Sequence, residues 1–575
     1  MSHYPDSFNP DLLARIPLDA RTVLDVGCAT GALGVAYRRF NSAARLLGIE
    51  LDPAAATIAA QRLDDVAAVD VEASPMPFAL PGGIDCIVYG DVLEHLREPW
   101  TLLRTHAACL SESGVMILCV PNVEHWSFAA NLLQGTWDYQ EQGLFDRTHL
   151  RWFSLETMRR GLTECGLVLC DVAPRIFGAA DCDAFTRKIA PGLQALGVDP
   201  AAYAARAAPL QHVWRVRKTS RPRMTVAANM MAPVGGVSQV RVIDPLAAIA
   251  TDPSVTTHLS PQLVRPGAAE EPRIFVLHRP VLAGADGLAV LQALRRDKWL
   301  VVTEFDDHPD FLPPMQQRPC YSFTGVHAVQ TSTPALADVL RQRNPEIRVF
   351  PNAIRALPEI QNFADPNRMT LFFGALNRDT DWAPLMPALN AAAHALGERL
   401  AFHVVHDRAF FDALDTPMKQ FTPLCDHGTY LNLLGGCELS LMPLLDTPFN
   451  RAKSDLKFIE AAACRVVSLA SPVVYGASIK DGHTGLLFAD AEALRLRLIR
   501  LVAMPAVARR IGDAALAYVA GHRMLAYQTG ERVAWYRSLW HRRVELTTAL
   551  EERLKRIEIA GVSPQTPPGP RPGLH

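Results

Sequence analysis

Short apolar runs rich in β-branched residues alternate with helix-like segments along this 575-residue chain, and this alternation is what most constrains its fold. Between residues 21 and 120 the alternation repeats several times, which is typical of a parallel sheet covered by helices on both faces. It pauses at the polar, proline-containing segment 218–224 and then starts again. The sequence therefore predicts an α/β protein built from several domains.

The pattern divides the chain into four segments. We expect a first domain over residues 1–218, a second over 219–355, and a third over 356–558 that ends in an amphipathic helical region. The segment 559–575 is rich in proline, so we expect it to be disordered. The expected strands are residues 23–26, 46–50, 67–70, 84–90, 115–120, 165–173, 211–217, 224–229, 274–278, 300–304, 328–331, 349–351, 371–373, 401–405, 439–442 and 466–470, and the expected helices include 32–40, 53–63, 99–110 and much of 506–557.

Composition excludes several classes of protein. A formal net charge of -2 leaves no general attraction to nucleic acid, and 49% hydrophobic residues exclude wholesale disorder. The 11 cysteines contain no Cys-x-x-Cys pair, so we expect reduced thiols and a cytoplasmic protein. No run approaches the roughly 20 apolar residues that span a bilayer. We therefore expect no nucleic-acid partner and at most peripheral contact with the inner face of a membrane.

The segment 24–31 places an acid at the end of the first expected strand and small residues in the turn that follows. Small residues there let a ligand approach the backbone. Glu50 ends the next expected strand, where a carboxylate can accept hydrogen bonds from both hydroxyls of a ribose. A nicotinamide fingerprint would need glycines where this chain has Ala29 and Ala32. The pattern indicates a nucleoside site, with NAD as the weaker alternative.

These residues resemble the class I S-adenosylmethionine-dependent methyltransferases, and the similarity covers the first expected domain. The family motif is acid-x-Gly-x-Gly-x-Gly, and Ala29 stands at the middle glycine. Further similarity lies in segments 70–71, 91–96, 120–123 and 143–153. The resemblance implies a seven-strand Rossmann-like domain with S-adenosylmethionine as cofactor. The cofactor-binding residues that it implies are Asp25, Gly27, Cys28, Gly31, Glu50, Asp70, Val71 and Asp91.

Methyl transfer requires an aligned acceptor and removal of the acceptor's proton. His149 and His95 are candidate bases, because a neutral imidazole takes up a proton near pH 7. Asp146 is a candidate to orient or to replace His149. A structural hydrogen bond is the alternative role for each histidine.

A second group of candidate residues lies in the C-terminal part. Gly235 and Gly236 follow the first expected strand of the second domain and could offer backbone N–H groups to an anion. Lys453, Lys457 and Glu460 recur at helical spacing, so one helix face would carry two cations and a carboxylate. That set suits a diphosphate and a ribose, although a solvated charged face would show the same pattern.

Residues 222–545 resemble the retaining GT-B glycosyltransferases, particularly those that build bacterial surface polysaccharides. In that family a helix carries Glu-x7-Glu; here Glu460 matches the second acid and Ala452 stands at the first. Arg378 matches one of two family cations, and Lys453 is the candidate for the other. The resemblance implies a pair of Rossmann-like domains, a nucleotide sugar as donor substrate, and a glycan or glycolipid acceptor.

The acidic run 304–308 is expected to end a strand that faces the cleft between these two domains. Three acids and a histidine could bind a divalent ion, but contact with the acceptor is the preferred interpretation. The expected acceptor-side residues are Asp306 and Asp307, with His278 and Arg279 at the end of the preceding strand. We therefore predict no metal site.

Together these patterns predict a bifunctional enzyme of bacterial surface glycan or glycoconjugate assembly, in which an O-methyltransferase is fused to a glycosyltransferase. Two alternatives stay open. In the first, only the methyltransferase is active and the C-terminal half is a degenerate glycan-binding module, as Ala452 suggests. In the second, the chain is a non-enzymatic assembly protein that docks on a membrane through its amphipathic C-terminal helix.

Overall fold

The computed structural model describes residues 6–230, 235–259, 271–316, 319–361, 367–376 and 378–562. The chain divides into two compact units. Unit 1 comprises Met1–Pro222 and Ala250–Val255, and unit 2 comprises Arg223–Ile249 and Thr256–His575. The expected disordered segment lies beyond the described residues from position 563 onward, and no side chain between 558 and 562 is described.

Unit 1 is built on one sheet of seven strands. Those strands are β1 (Thr22–Val26), β2 (Arg45–Glu50), β3 (Asp65–Ala68), β4 (Ile84–Gly90), β5 (Leu110–Pro121), β6 (Val168–Ile176) and β7 (Pro209–Arg217). The strand order is β3-β2-β1-β4-β5-β7-β6. Strands β1 to β5 are parallel, whereas β7 is antiparallel to both β5 and β6. This confirms the predicted seven-strand Rossmann-like domain, whose parallel strands end at one edge.

Helices cover both faces of this sheet. They are α1 (Pro10–Leu13), α2 (Ala32–Arg38), α3 (Pro53–Ala59), α4 (Pro99–Cys109), α5 (Trp126–Leu133), α6 (Leu155–Glu164), α7 (Ala179–Ala195) and α8 (Pro200–Ala207), with a short 3-10 turn at Leu93–His95. The sequence sets their starts: Asp52, for example, caps α3 by accepting the N–H of Ala54, and Pro53 occupies the first turn. Alternation along β1 sends Leu24 and Val23 into separate cores on opposite faces.

Unit 2 contains two further sheets of six strands. The first has the order β13-β12-β11-β10-β8-β9 and the second β16-β15-β14-β17-β18-β19. Their strands are β8 (Met224–Asn229), β9 (Val255–Leu259), β10 (Arg273–His278), β11 (Leu300–Glu304), β12 (Ala328–Thr331), β13 (Ile347–Val349), β14 (Met369–Gly374), β15 (Leu400–Val405), β16 (Lys419–Thr422), β17 (Leu439–Met442), β18 (Val467–Ala470) and β19 (Leu486–Leu487). All pairings of β10, β11, β14, β15, β17 and β18 are parallel. These sheets confirm the predicted pair of Rossmann-like domains.

The helices of unit 2 are α9 (Gly235–Ser238), α10 (Asp244–Ile249), α11 (Gly284–Arg296), α12 (Pro334–Arg341), α13 (Asp379–Trp382), α14 (Met386–Leu396), α15 (Arg408–Ala413), α16 (His427–Gly435), α17 (Pro448–Arg451), α18 (Leu456–Ala463), α19 (Pro472–Tyr475), α20 (Ala491–Ala503), α21 (Pro505–His522), α22 (Ala526–His541) and α23 (Arg543–Val562). A π-helical turn, Gln239–Ile243, joins α9 to α10. Further 3-10 turns lie at Pro309–Phe311, Pro313–Gln316, Ala383–Leu385 and Gly397–Arg399.

The predicted strands differ from the structure both inside and at the edges of the sheets. The central strand β5 begins five residues before the predicted 115–120, and the edge strand β6 begins three residues after the start of the predicted 165–173. Strand β3 begins two residues before the predicted 67–70, and β13 two residues before the predicted 349–351. The edge strands β9, β16 and β19 carried no strand prediction. An edge strand is paired on one side only and needs no continuous apolar run, so its sequence signal is weak.

Two further expectations concern compartment and membrane. All 11 cysteines are free thiols. Within the ranges given above, no helix combines the length and apolar character needed to cross a bilayer.

Two candidate functional sites

The turn after β1 adopts a backbone that favours small residues. Gly27 and Gly31 have φ of 74° and 79°, and Ala29 between them has φ of 47°. A Cβ on Gly27 would lie 2.5 Å from Cγ2 of Val92, so glycine is required there by packing as well. Ala29 holds a left-handed conformation at a cost of about 1 kcal/mol, since only glycine adopts it without strain.

Glu50 ends β2 and directs its carboxylate at this turn. One carboxylate oxygen accepts the N–H of Ala29 at 2.8 Å, and the other accepts the N–H of Asp52 at 2.9 Å. Glu50 is 4% exposed. A carboxylate offers about four lone-pair positions, so two stay available for the hydroxyls of a ribose. The geometry is therefore compatible with the predicted role in nucleoside binding.

Asp25 lies at the same edge of the sheet, within β1. Burial, and then the charge of Glu50, raise the pKa of Asp25 to about 7. No cation in the described part of the chain offsets that shift. Two neighbouring carboxylates without a cation favour a positively charged ligand, which fits the sulfonium of S-adenosylmethionine. Cys28 is buried beside them, and its Sγ lies 2.6 Å from where a Cβ of Gly48 would be.

The other predicted cofactor residues follow β3 and β4. Asp70 is exposed and accepts the N–H of Glu72 at 2.9 Å, whereas Val71 is buried in the core. Asp91 is exposed, has φ of 56°, and accepts a hydrogen bond from the side-chain amide of Gln211. Asp70 and Asp91 therefore present carboxylates at the edge that also holds Glu50, and Val71 contributes packing.

The two predicted histidines lie together. The rings of His95 and His149 meet edge-on with centroids 4.9 Å apart. Thr148 Oγ donates to Asp146 at 2.6 Å and lies 2.9 Å from Nδ1 of His95. Because that hydroxyl already donates to Asp146, His95 Nδ1–H is the donor, which leaves the Nε2 lone pair free. Asp146 thus acts on His95 through Thr148. The backbone N–H of His149 donates to the carbonyl of Asp146 at 3.2 Å, but the described residues show no hydrogen bond between the Asp146 carboxylate and the His149 ring.

Glu94 completes this cluster, although no role was predicted for it. It is 1% exposed, and neither carboxylate oxygen has a hydrogen-bond partner among the described residues. Burial raises the pKa of Glu94 well above its usual range. One ligand atom from each of Glu94, His95 and His149 lies within 4.8 Å of the others, close enough to hold a divalent ion together. The expectation of no metal stays a prediction here.

In unit 2, a cavity of about 180 Å³ is lined by residues from both sheets. The lining includes the cations Arg241, Arg279, Arg378, Lys453 and Lys457, together with Asp306. The neighbouring strands β11, β14 and β17 are parallel within their sheets and point their carboxyl ends toward this region. Ligands of open α/β sheets bind at that edge. Five of the predicted nucleotide-sugar and acceptor residues therefore meet in one cavity with Arg241.

Each acid of the run 304–308 has a cationic partner. Arg241 binds both oxygens of Glu304 at 2.9 and 3.0 Å, and both residues are buried. Arg279 Nε donates to Asp306 at 2.6 Å. Lys453 Nζ donates to Asp307 at 2.8 Å. Because these carboxylates already bind cations of the chain, the donor set does not favour a divalent ion.

The predicted helix carrying Lys453, Lys457 and Glu460 is wrong as a single element. The chain forms α17, breaks over residues 452–455, and resumes as α18, so Lys453 lies outside both helices. Two tertiary contacts compete with helix formation at the break: Asn352 Nδ2 donates to Ser454 Oγ at 2.8 Å, and Asp455 accepts from Arg523 at 2.5 and 2.9 Å. Such side-chain hydrogen bonds offer this segment an alternative to continuing the helix.

Lys457 is a half-buried cation of the cavity. Its Nζ donates to the carbonyl of Gly374 at the end of β14. Burial, and then the charge of Arg378, lower the pKa of Lys457 to about 8. Arg378 NH1 binds Asp381 at 3.1 Å and the side-chain oxygen of Asn450 at 2.9 Å. These two cations have further hydrogen-bonding capacity for a diphosphate.

Glu460 has a partner that the sequence did not reveal. Nε2 of His427, the first residue of α16, lies 2.8 Å from Oε1 of Glu460. Despite burial, the hydrogen bond to Glu460 leaves the pKa of His427 above its usual value. A Cβ on Gly236 would lie 2.7 Å from Cδ2 of His427, so α9 approaches this pair closely. Gly235 begins α9, and the preceding residues 231–234 lie outside the described part of the chain.

Ala452 and His278 complete the predicted set. Ala452, at the position of the first family acid, is buried in an apolar core with Leu336 and Leu340. His278 is buried, and its Nε2 has no hydrogen-bond partner among the described residues. Burial lowers the pKa of His278 to about 4, so its ring is neutral near pH 7.

Comparison with known proteins bears first on unit 1. A family model described as a methyltransferase domain matches residues 1–172. The match confirms the predicted domain type for the part of the chain that holds Glu50 and His149.

Curated relatives match the same region. Ubiquinone biosynthesis O-methyltransferase from Caulobacter vibrioides is 30% identical over 117 residues, which is 20% of this chain and 46% of that protein. The same enzyme from Xanthomonas campestris is 30% identical over 120 residues, covering 20% of this chain and 49% of the relative. Trans-aconitate 2-methyltransferase from Afipia carboxidovorans is 30% identical over 113 residues, 20% of this chain and 43% of the relative. The chain thus spans about half the length of these relatives.

Solved structures match other parts of the chain. Anabaena HepE in complex with UDP and glucose has 12% identity and a TM-score of 0.40, covering 55% of this chain and 100% of HepE. Sucrose-phosphate synthase from Thermosynechococcus elongatus has 15% identity and a TM-score of 0.40, covering 56% of this chain and 100% of the synthase.

Sequence reasoning missed three residues of these sites. Glu94 was visible as an acid next to His95, but only its burial without partners singles it out. His427 lies 33 residues before Glu460, and nothing in the local sequence joins the two. Arg241 lies five residues after Gly236, but its pairing with Glu304 depends on how α9 and the π-helical turn after it pack. A buried ion pair of distant residues leaves no periodic signal in the sequence.

Proposed function

We propose that the chain is a bifunctional transferase. Unit 1 transfers a methyl group from S-adenosylmethionine to a hydroxyl oxygen, and unit 2 transfers a sugar from a nucleotide sugar to a glycan or glycolipid. We place both reactions in bacterial surface glycan assembly in the cytoplasm, at the inner face of the membrane. The observation that carries the proposal is the buried pair Asp25 and Glu50, which lacks a cation and lies beside a turn of small residues.

In unit 1, bound S-adenosylmethionine would supply the methyl group on a positively charged sulfur. Glu50 holds the two ribose hydroxyls, and Asp25 adds a carboxylate near the cationic part of the cofactor. Burial, and then the charge of His95, lower the pKa of His149. The His149 ring is therefore neutral near pH 7 and can accept the proton of the acceptor hydroxyl as the methyl group is transferred. Thr148 orients His95 beside it.

In unit 2, Arg378 and Lys457 hold the donor diphosphate and offset the negative charge that develops on the leaving group. Glu460, positioned by His427, holds the donor ribose. Asp306 and Arg279 line the cavity on the acceptor side, and the next residue, Asp307, is bound to Lys453. His278 ends the neighbouring strand as a neutral ring with an unpaired Nε2.

Titration of the full chain with S-adenosylmethionine tests the first activity. We expect saturable heat and a rise in Tm that Glu50→Gln reduces strongly, because the amide loses the charge that binds the ribose hydroxyls. Glu72→Gln is the matched control, since Glu72 is a half-buried acid bonded to the N–H groups of Arg97 and Glu98. No heat and no Tm shift at millimolar ligand would contradict the assignment.

A panel of nucleotide sugars tests the second activity. We expect hydrolysis or transfer with at least one donor, and loss of that activity in Glu460→Ala. The rival function, a glycan-binding module without transfer, draws support from Ala452 at the position of the first family acid and from the occupation of Glu460 by His427. Glycan binding that persists in Glu460→Ala, with no turnover of any donor, would favour the rival.

A further inference from the structure

A second cavity in unit 2 lies away from both proposed sites. Its volume is about 590 Å³, within the range of small-molecule sites. It is lined by Leu300, the first residue of β11, and by His327, which directly precedes β12. Glu304, which faces the nucleotide-sugar cavity, is the last residue of β11. A five-residue strand separates these ends by about 15 Å, so this cavity opens at the opposite edge of the sheet.

The lining is rich in cations and contains no acid. Four cations contribute to it: Arg295 and Arg296 at the end of α11, Lys298 just after it, and Arg543 at the start of α23. Arg295 is paired with Glu551 at 2.6 Å. The side chains of Arg296, Lys298 and Arg543 are exposed and have no carboxylate partner in the described part of the chain.

The partial negative charges of the helix C-termini neutralise only part of this positive charge. A helix C-terminus carries about half a negative elementary charge, and α11 and α22 both end at this cavity. The two ends together offset about one of the three unpaired cations, whereas the N-terminus of α23, which begins at Arg543, adds about half a positive charge. About two to three positive charges remain, which is enough to balance the charge of a phosphate monoester near pH 7.

The polar groups deeper in the cavity are hydrogen-bond donors. Trp299 is 2% exposed, and its indole N–H has no partner among the described residues. His327 Nδ1 accepts the N–H of Val301 at 2.9 Å, so the hydrogen of the neutral ring is on Nε2, which donates to Oγ1 of Thr547 at 3.4 Å. Burial lowers the pKa of His327 to about 4, which keeps the ring neutral. Trp540 adds an aromatic face at the rim, with Arg543 5.1 Å from its ring centroid.

We propose that this cavity binds a phosphate monoester, with the phosphate on Arg296, Lys298 and Arg543 and the organic group against Trp540. The buried Trp299 N–H and the cationic rim together recognise an acceptor-only anion. The same phosphomonoester chemistry occurs in soluble metabolites and in the headgroup of phosphatidic acid. The site is separate from the nucleotide-sugar cavity and does not depend on transfer activity there.

Calorimetric titration of the full chain with phenyl phosphate tests the site. We expect saturable binding, weakened at least tenfold in the triple variant Arg296→Ala, Lys298→Ala, Arg543→Ala. The matched control is Arg160→Ala, Arg187→Ala, Lys188→Ala, which removes the same exposed charges from unit 1 and should leave the affinity unchanged. Trp540→Leu should weaken phenyl phosphate more than inorganic phosphate, because only the ester has a ring to stack. Equal Tm values for the variants would exclude unfolding.

Sedimentation with vesicles identifies the source of the phosphate. If the monoester belongs to a lipid, the wild type should sediment with vesicles of phosphatidylcholine and phosphatidic acid, and the variant Arg296→Ala, Lys298→Ala, Arg543→Ala should not. Vesicles with phosphatidylglycerol, which is a phosphodiester, are the control for negative charge alone. If the wild type binds phenyl phosphate without sedimenting, the ligand is a soluble monoester. The proposal is overturned if the wild type does not bind phenyl phosphate, or if both triple variants bind it as the wild type does. UDP binding at the other cavity is scored separately.

Discussion

The two candidate sites treat buried charge in opposite ways. In unit 1, Asp25, Glu50 and Glu94 are buried acids without a cationic partner among the described residues. In unit 2, the acids that face the cavity are each bound by a cation, as in the pair of Arg241 and Glu304. The difference indicates the charge of the ligand that each site favours. The unpaired acids of unit 1 favour a positively charged ligand, and the cations of unit 2 keep hydrogen-bonding capacity for a diphosphate.

The largest expected effect tests the paired acids. Arg241→Ala should lower the free energy of unfolding of unit 2 by about 3 to 5 kcal/mol, because it leaves Glu304 as an uncompensated buried charge. Urea denaturation measures the change. The control is Arg341→Ala, which breaks the exposed pair of Arg341 and Asp338 and should cost about 1 kcal/mol or less. Equal losses in the two variants would mean that burial does not distinguish the pairs.

The next effect tests the unpaired acids. Glu50→Gln should weaken S-adenosylmethionine binding by about 1.5 to 3 kcal/mol, the range of a hydrogen bond to a charged group. It should destabilise the free protein little, because the amide oxygen can still accept one N–H from the turn. Calorimetry and a thermal melt separate the two quantities. An unchanged affinity would remove Glu50 from the cofactor site.

The third effect is a pH dependence. The pKa of Asp25 is raised to about 7 in the free protein. A cationic ligand favours the ionised form, so it lowers this pKa and binding releases a proton. Affinity for S-adenosylmethionine should therefore rise with pH, by up to about tenfold per unit below the pKa, and level off above it. Titrations between about pH 6 and pH 8 measure the slope, and Asp25→Asn should flatten it.

The smallest effect tests the strained turn. Ala29→Gly should stabilise unit 1 by up to about 1 kcal/mol, because glycine adopts the left-handed conformation without strain. The gain is reduced by the extra freedom of glycine in the unfolded chain. A thermal melt measures it, with Ala32→Gly as control; Ala32 lies in the first turn of α2, where glycine should destabilise. Stabilisation by both variants would contradict a strain localised at Ala29.

The sequence predicted the central strands of all three sheets and missed or shifted strands at their edges. Central strands such as β4 are buried on both faces and are mostly apolar, whereas β16 contains a single apolar residue, Phe421. The turn at Gly27 and the acid Glu50 were also predictable, since both lie within local motifs of fixed spacing.

Contacts between distant residues could not be predicted in the same way. The partner of Glu460 is His427 on another helix, and the spacing of Lys453, Lys457 and Glu460 suggested a helix that tertiary hydrogen bonds interrupt. The isolation of Glu94 is a property of its surroundings alone. Periodicity reports which face of an element is buried, but it does not report what that face meets.

The π-helical turn Gln239–Ile243 has a consequence for how this fold tolerates insertions and deletions. An α-helix turns about 100° per residue. Deleting one residue from the π-helical turn would restore the regular α-helical pattern and rotate α9, which precedes the turn, by about 100° relative to α10. Gly236 would then swing away from His427, and the guanidinium of Arg241 would leave Glu304. The one extra residue of the π-helical turn thus fixes the positions of Gly236 and of the Arg241 guanidinium. Deleting a single residue here should therefore destabilise the protein far more than a deletion in a surface loop.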